Sequence, residues 1–375
     1  MTSFKDFLTH FQRTPLGIVI DDTSSTPHAA LVAPANAMSE AVMNRAIGLS
    51  GGLPFVAISP ERAAAFLLPS MSRPLTSQGA SEHGRASSPQ FVSVEAREGI
   101  STGISAADRA LTVSILGAET PQPRKLVKPG HIFPVETREG GVLVKMAIPE
   151  AALDIVTLAG FTDAAFYLDL LGQDGELLST EKTEELSQRQ SLPITTLTQL
   201  VEYRLEQEPL VSRIAEAKLP TSEAGEVKAI VYRSRIHDVE HVALVKGDVT
   251  TGDPILVRVQ AENTIADVFG GDSPPSRKNL HLALKMIGER EKGVFLYLRR
   301  TNLGLAPHQT PVIAAPAAAM MREYGVGAQI LRDLGVSRIE LIAGTPRSMA
   351  GLGSFGINIV SQRTFPTDVP DTELL

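Results

Sequence analysis

Apolar and polar positions along this chain fall into short, clearly punctuated runs. Phe4, Phe7, Leu8 and Phe11 recur at the spacing of one helix face, and Pro15 ends the run. Leu16–Asp21 is a continuous apolar stretch closing on two acidic residues, which reads as a buried strand entering a loop. Leu31–Pro34 and Phe55–Ile58 read as further strands of the same layer, and Met38–Leu49 as a helix stopped by Gly51 and Gly52. Pro60–Leu68 opens like a helix, with Pro at an early position and Glu61 in the first turn. Phe91–Glu95, Val142–Lys145, Ala165–Leu170 and Leu192–Thr195 are expected strands; Glu150–Ala159 and Thr196–Glu208 are expected helices. Ser72–Gln90 carries Ser, Pro, Gly and charge without periodicity and reads as a loop.

After about residue 208 the pattern starts again. Glu226–Tyr232, His241–Val245, Ile255–Val259, Gly293–Leu298 and Arg338–Ile342 read as strands, with helices at Leu280–Glu289 and Ala328–Leu334. The alternation predicts an α/β to α+β fold in two domains, 1–208 and 209–375. A length of 375 residues supports two separate cores.

Composition narrows the function. A net charge of −7 provides no general basic field, and 5% aromatics without tryptophan provide no base-stacking platform, so nucleic acid is not an expected partner. Cysteine is absent, which removes disulfides, thiol nucleophiles and thiolate-bound zinc together. No run has signal-peptide or membrane-span character, so the expectation is a cytoplasmic protein with no membrane partner.

Candidate chemistry concentrates in Ile100–Val135. Ser101, Thr102, Gly103 and Ser105 precede a helical run carrying Asp108 and Arg109. Hydroxyls and backbone N–H groups at a helix start, beside an arginine, suit a phosphate. Downstream, Gly130 allows close backbone approach, and His131 lies between Pro129 and Pro134. A capped helix followed by a rigid loop is the competing reading of the same residues.

The segments STGISAADR (Ser101–Arg109) and KPGHIFP (Lys128–Pro134) resemble signatures of 3,4-dihydroxy-2-butanone 4-phosphate synthase. The likeness continues through AALDIVTLAG (Ala151–Gly160). RIAEAKLPT (Arg213–Thr221), HVALVKGD (His241–Asp248) and YGVGAQILRDLGVSRIELI (Tyr324–Ile342) are similar to GTP cyclohydrolase II. The order resembles the bifunctional riboflavin-biosynthesis fusion. This resemblance implies a homodimer and, in the first half, conversion of ribulose 5-phosphate with loss of formate. The family performs that rearrangement with magnesium and carboxylates, and the cyclohydrolase holds zinc with three cysteines.

Several positions depart from the family pattern. Its acidic loop D-D-E-x-R-E-N-E-G-D corresponds to Asp21–Ala30, where the two leading aspartates, Asp21 and Asp22, remain. The G-H-T-E-A segment reads Ala147-Ile148-Pro149-Glu150-Ala151, so Ile148 occupies the histidine position. The catalytic glutamate falls at Asp169. The three zinc-cysteine positions hold Asn263, Pro274 and Ser276. No metal and no other cofactor is therefore expected.

If the protein is catalytically active, Asp169, His131, Asp21 and Asp22 are the expected acid–base groups. Thr102, Ser105, Asp108, Arg109, His131, Arg258, Glu262, Asp267, Arg299 and Arg347 are the expected ligand-binding set. The leading expectation is a catalytically degenerate relative with a binding or regulatory role towards a phosphorylated sugar or nucleotide. An enzyme with altered, metal-independent chemistry is the alternative, and retained riboflavin-pathway activity is the second alternative.

Overall fold

The computed structural model describes residues 3–23, 28–71, 89–235, 239–270, 275–299, 317–343 and 357–365. Expectations placed on Ser72–Gln90 (for residues 72–88), Pro274 and Arg347 lie outside these residues. The chain divides into two compact units, Met1–Arg204 and Leu205–Leu375. Among the described residues no helix is long and apolar enough to cross a membrane.

The first unit runs α1 (Phe4–Arg13), β1 (Gly17–Asp21), β2 (His28–Pro34), α2 (Glu40–Leu49), β3 (Phe55–Ile58), α3 (Pro60–Ala65), β4 (Val94–Ala96), α4 (Ala106–Leu116), β5 (Leu126–Glu136), α5 (Ile148–Leu158), β6 (Ala164–Asp169), α6 (Thr180–Gln190), β7 (Ile194–Thr196) and α7 (Leu197–Gln207). Its seven-stranded sheet has the order β4-β5-β3-β6-β2-β1-β7. The pairs β1–β2, β2–β6, β3–β6 and β4–β5 are antiparallel; β3–β5 and β1–β7 are parallel.

Each face of this sheet is covered because side chains alternate along a strand. Ile18, Leu31, Val56, Ile132 and Phe166 point to one face and pack with Met43 of α2 and Val113 and Leu116 of α4. Burying each large apolar side chain contributes about 1.5–3 kcal/mol. The opposite face carries an aromatic ladder. Phe55 lies 5.9 Å from Phe133 and 5.1 Å from Tyr167 between ring centroids. Helix α5 lies over β6, β3, β2 and β1. Helix α1 is capped by Ser3, whose Oγ accepts from Asp6 N–H, and buries the Phe4, Phe7 and Phe11 stripe. Gly17 starts β1 hard against that stripe: a Cβ there would sit 3.0 Å from the Phe7 ring.

The second unit runs β8 (Val211–Thr221), β9 (Gly225–Ser234), β10 (Glu240–Lys246), β11 (Ile255–Ala261), α8 (Thr264–Phe269), α9 (Ser276–Gly288), β12 (Gly293–Leu298), α10 (Ala317–Asp333), β13 (Arg338–Ile342) and β14 (Asn358–Arg363). Its sheet order is β14-β13-β11-β12-β10-β9-β8, parallel from β14 to β12 and antiparallel beyond. Leu284 and Ile287 of α9 pack on Leu256, Phe295 and Ile342. Both units mix strands and helices in layers, as the alternation predicts.

Several elements differ from the sequence expectation. Val142–Lys145 is not a strand. Gly140 at φ +87° turns the chain into a 3-10 turn at Gly141–Leu143, and Asp154 Oδ2 accepts from Val142 N–H at 2.8 Å. Lys128–Val135 is not a loop: it lies within β5, despite its two prolines. Helices α6 and α8 and strand β8 are additional to the expected elements.

Candidate active site

The site of the first unit follows from strand register. Phe133, Phe55 and Tyr167 share a face, so His131, two residues before Phe133, and Asp169, two residues after Tyr167, share it too. Asp169 pairs with Ala30, which pairs with Val19; two residues on, Asp21 pairs with His28. Asp21, His28, Asp169 and His131 therefore stand on one face at one end of the sheet.

Asp169 is held from behind. Its backbone oxygen accepts from Ser50 Oγ at 2.6 Å, and the same Oγ accepts from Leu171 N–H at 3.1 Å and Gly52 N–H at 3.2 Å. A Cβ on Gly52 would meet the Asp169 oxygen at 2.6 Å, so only glycine fits against it. Burial pushes the Asp169 carboxyl above the ordinary carboxylate range, and His28 pulls it partly back. Its acidity is thus moved towards that of a proton-transfer group. The Tyr167 hydroxyl is pushed up by burial, and the charges of Asp169 and Glu150 push it the same way.

His131 has a partner that the sequence expectation omits. Its Nδ1 lies 2.8 Å from Glu95 Oε2. A carboxylate on Nδ1 orients the ring and leaves Nε2 as the working nitrogen. The pair is enclosed by Gly103, at φ +78°, where a Cβ would sit 1.9 Å from Glu95 Oε2 and 2.8 Å from His131 Nδ1. The turn at Gly103 is clamped in its turn: Asp108 Oδ2 accepts from Ser101 N–H, Ser101 Oγ and Gly103 N–H at 3.2, 2.9 and 3.0 Å. Burial pushes the Asp108 carboxyl up, but the bonds from Ser101 and Gly103 outweigh it and hold it below the ordinary range. Thr112 Oγ1 accepts from Ala96 N–H at 3.0 Å and so ties α4 to β4 beside Glu95. A signal for Glu95 existed in its alternation with buried Val94 and Ala96, but nothing in sequence pairs it with His131.

The other expected residues separate into working and supporting groups. Arg109 is half-buried, and its Nε is buried without a hydrogen-bond partner. Thr102 is exposed near it in sequence. Ser105 is occupied as the N-cap of α4, accepting from Asp108 N–H at 3.1 Å. Asp108 is spent on the Gly103 turn. Asp22 is exposed and accepts from Thr198 N–H at 3.1 Å, so it serves the start of α7.

In the second unit, Glu262, Asp267 and Arg299 gather beyond the ends of the parallel strands β11 and β12. Arg299 Nε lies 3.6 Å from Glu262, and Arg299 N–H donates to His241 Nδ1 at 3.1 Å. Asp267 accepts from Gln260 Nε2, Asn263 N–H and Tyr297 Oη at 3.2, 2.9 and 2.7 Å. Arg258 is turned away, donating to Ile342 O at 3.0 Å with its guanidinium over the Phe365 ring.

The metals implied by the resemblance do not match these donors. Ile148 is 3% exposed and has no donor atom, and Asp21 Oδ1 already accepts from Thr23 N–H and Oγ1. Asn263 caps α8, with Oδ1 accepting from Ala266 N–H at 3.2 Å, and Ser276 Oγ accepts from Gln260 Nε2 at 3.1 Å. Neither is a thiolate, and neither side chain is idle.

Comparison with known proteins decides the family. Residues 5–203 match 3,4-dihydroxy-2-butanone 4-phosphate synthase, and residues 212–364 match GTP cyclohydrolase II. The chain belongs to this two-domain riboflavin-biosynthesis family. Riboflavin biosynthesis protein RibBA of Chlorobium phaeovibrioides is 32% identical over 92% of this chain and 87% of its own length. The monofunctional riboflavin biosynthesis protein RIBA 3, chloroplastic, of Arabidopsis thaliana is 34% identical over 92% of this chain and 70% of its own length. A crystal structure of RibBX, a two-domain 3,4-dihydroxy-2-butanone 4-phosphate synthase from A. baumannii, superposes with a TM-score of 0.79 at 27% identity, covering 98% of this chain and all of that one.

These relatives overturn the leading expectation of a binding or regulatory protein without catalysis. They carry biosynthetic names across nearly the full length of the chain, and a catalytic role is favoured. The physical reason lies in what the expectation weighed. Losing metal donors removes one means of polarising a carbonyl; it leaves the acid–base groups, and here Asp169 and the Glu95–His131 pair are rigidly seated.

Proposed function

We propose that the first unit is an enzyme acting on a phosphorylated ketose, with ribulose 5-phosphate as the first substrate to test, and that it works without a bound metal. The observation that carries this reading is the placement of Asp169, Asp21, His28 and the Glu95–His131 pair on one face at one end of the sheet. Asp169, with its raised carboxyl, takes and returns the carbon-bound proton beside the ketone. His131 Nε2 moves a proton at the neighbouring hydroxyl, steadied through Nδ1 by Glu95. Arg109, with an unpartnered Nε, holds the phosphate through a charge-assisted hydrogen bond. In the second unit, Gln260 Nε2 donates to Asp267 Oδ1 and Ser276 Oγ, a hydrogen-bonded network beside the positions where the resemblance places zinc ligands. The proposal keeps the homodimer and the cytoplasmic location that the sequence analysis expects.

The test is formate release from ribulose 5-phosphate by the full chain, with and without EDTA. We expect turnover that survives chelation. Arg109→Ala should raise KM by roughly tenfold to a hundredfold, the size of one charge-assisted contact of about 1.5–3 kcal/mol, without lowering the melting temperature. Absence of any formate with or without magnesium would overturn the reading.

A further inference from the structure

Strand β8 ends the sheet of the second unit, and among the described residues its ladder is made to β9 alone. Residues 213–220 are exposed without a break. Successive side chains of a strand point to opposite faces, so neither face of this stretch is packed. Ile214 and Leu219 are 43% and 41% exposed there. An open strand edge is a template for another strand. Two features limit where a strand can add. At one end the register shifts between Arg213 and Ala215, leaving Ile214 as a bulge. At the other, Pro220 has no N–H to give. Proline fits an edge strand with its nitrogen directed outwards, so the backbone groups of Pro220, and by alternation those of Lys218 and Glu216, face away from β9. The unbroken run between bulge and proline is Ala215–Leu219, and its midpoint is Ala217. Glu216 and Lys218 flank that midpoint with opposite charge.

We propose that β8 pairs antiparallel with β8 of a second copy of this chain, about a two-fold axis at Ala217. The contact engages residues of the second unit alone. Glu216 then stands opposite Lys218 of the second copy, and the symmetry repeats the pair. The outward N–H and C=O groups of Glu216 and Lys218 meet those of the facing residues, and each facing pair is opposite in sign. Sliding the register by two residues, the next that keeps the backbone groups in phase, sets Glu216 against Glu216 or Lys218 against Lys218. Charge therefore selects the register centred on Ala217. Both side chains can take a further partner. Within the chain Glu216 meets Lys228 at 3.7 Å and Arg213 at 3.8 Å, both long for an ion pair, and Lys218 spends one of three donors on Glu226 at 3.0 Å.

The chain has no cysteine, so a thiol placed at the axis has no partner within its own chain. Antiparallel residues that do not exchange hydrogen bonds hold their Cα atoms about 4.5 Å apart, within reach of a disulfide. In the full chain, Ala217→Cys should convert to a disulfide-linked dimer under mild oxidation, read by non-reducing electrophoresis and intact mass. Leu219→Cys, on the same exposed stretch, sets its thiol opposite Ala215 of the second copy and should stay unlinked. On the Ala217→Cys background, Glu216→Lys or Lys218→Glu alone puts like charges opposite each other and should slow linking roughly tenfold. An equal mixture of these two variants restores both opposite-charge pairs and should link as the heterodimer. Equal linking by Ala217→Cys and Leu219→Cys would mean chance collision and overturn the proposal. So would no linking of Ala217→Cys, or a mixture that links no faster than either variant alone.

Discussion

Asp169 shows how a single residue can be worth less to stability than to chemistry. Its carboxyl is raised in the folded protein, so between the unfolded value, about 3.9, and the folded value the native state binds more protons than the unfolded one. Stability contributed by the protonated form is complete below the unfolded value and is lost as pH rises through the folded one. At neutral pH the charged carboxylate is therefore a burden on the fold. Asp169→Asn should raise the melting temperature at neutral pH, and that gain should shrink towards zero as pH falls below about 4. It should also abolish formate release, as expected where function is held against a stability cost. A melting temperature that falls at neutral pH would show that Asp169 is a structural partner. Asp169 was legible through the family resemblance, as the position of its catalytic glutamate within the expected strand Ala165–Leu170. Glu95 was not, because the Glu95–His131 contact joins β4 to β5 across 36 positions and no local pattern encodes it.

At the level of elements, legibility followed periodicity. Helix α1 and strands β1, β3, β6 and β12 have uninterrupted apolar patterns and were readable with near-correct limits. Helix α6, TEKTEELSQRQ, was missed because only Thr183, Leu186 and Ser187 are buried; its Ser179 cap was the available signal. Strand β5 was hidden by Pro129 and Pro134, which interrupt alternation although the backbone still pairs with β3 and β4. The run Val142–Lys145 misled in the opposite direction, since three apolar residues suit a strand and only Gly140 and Gly141 betray the turn. One link between elements is testable directly. Arg62 of α3 is 6% exposed; it donates through Nε to Asp163 Oδ1 at 2.8 Å and through Nη1 to Leu116 O and Ala118 O at 3.0 and 2.8 Å. Removing the carboxylate leaves a buried guanidinium short of its counter-charge. Burial raises the Asp163 carboxyl, but the hydrogen bonds and charge of Arg62 outweigh it and lower it, so the stability it contributes is present above the unfolded value and lost as pH falls through the folded one. Asp163→Ala should destabilise the first unit by about 2 kcal/mol in urea, less than a fully buried pair because Asp163 is half-exposed. The loss should fade in acid, and a loss independent of pH would assign it to packing.

For the whole chain, the two units share one pattern: where the resemblance places metal ligands, this sequence carries other residues. In the first, Ile148 is packed into the base of α5 and Asp21 is turned onto Thr23. In the second, Asn263 caps α8, Ser276 meets Gln260, and Asp267 gathers Gln260, Asn263 and Tyr297. Asn263 and Ser276 both make native hydrogen bonds, which supports the loop ends around β11 and β12. A structural zinc site contributes folding free energy through its ligands, so chelation normally unfolds such a site. Here the hydrogen-bonded network should hold the loops without metal. We therefore expect purified protein to contain well under one zinc per chain by elemental analysis. EDTA should leave both the melting temperature and formate release unchanged, and added zinc should not raise the melting temperature, since only a ligand that prefers the folded state stabilises it. About one zinc per chain, or a chelator-induced fall in melting temperature, would mean that oxygen and nitrogen donors among these residues still bind metal and that the metal-independent mechanism is wrong.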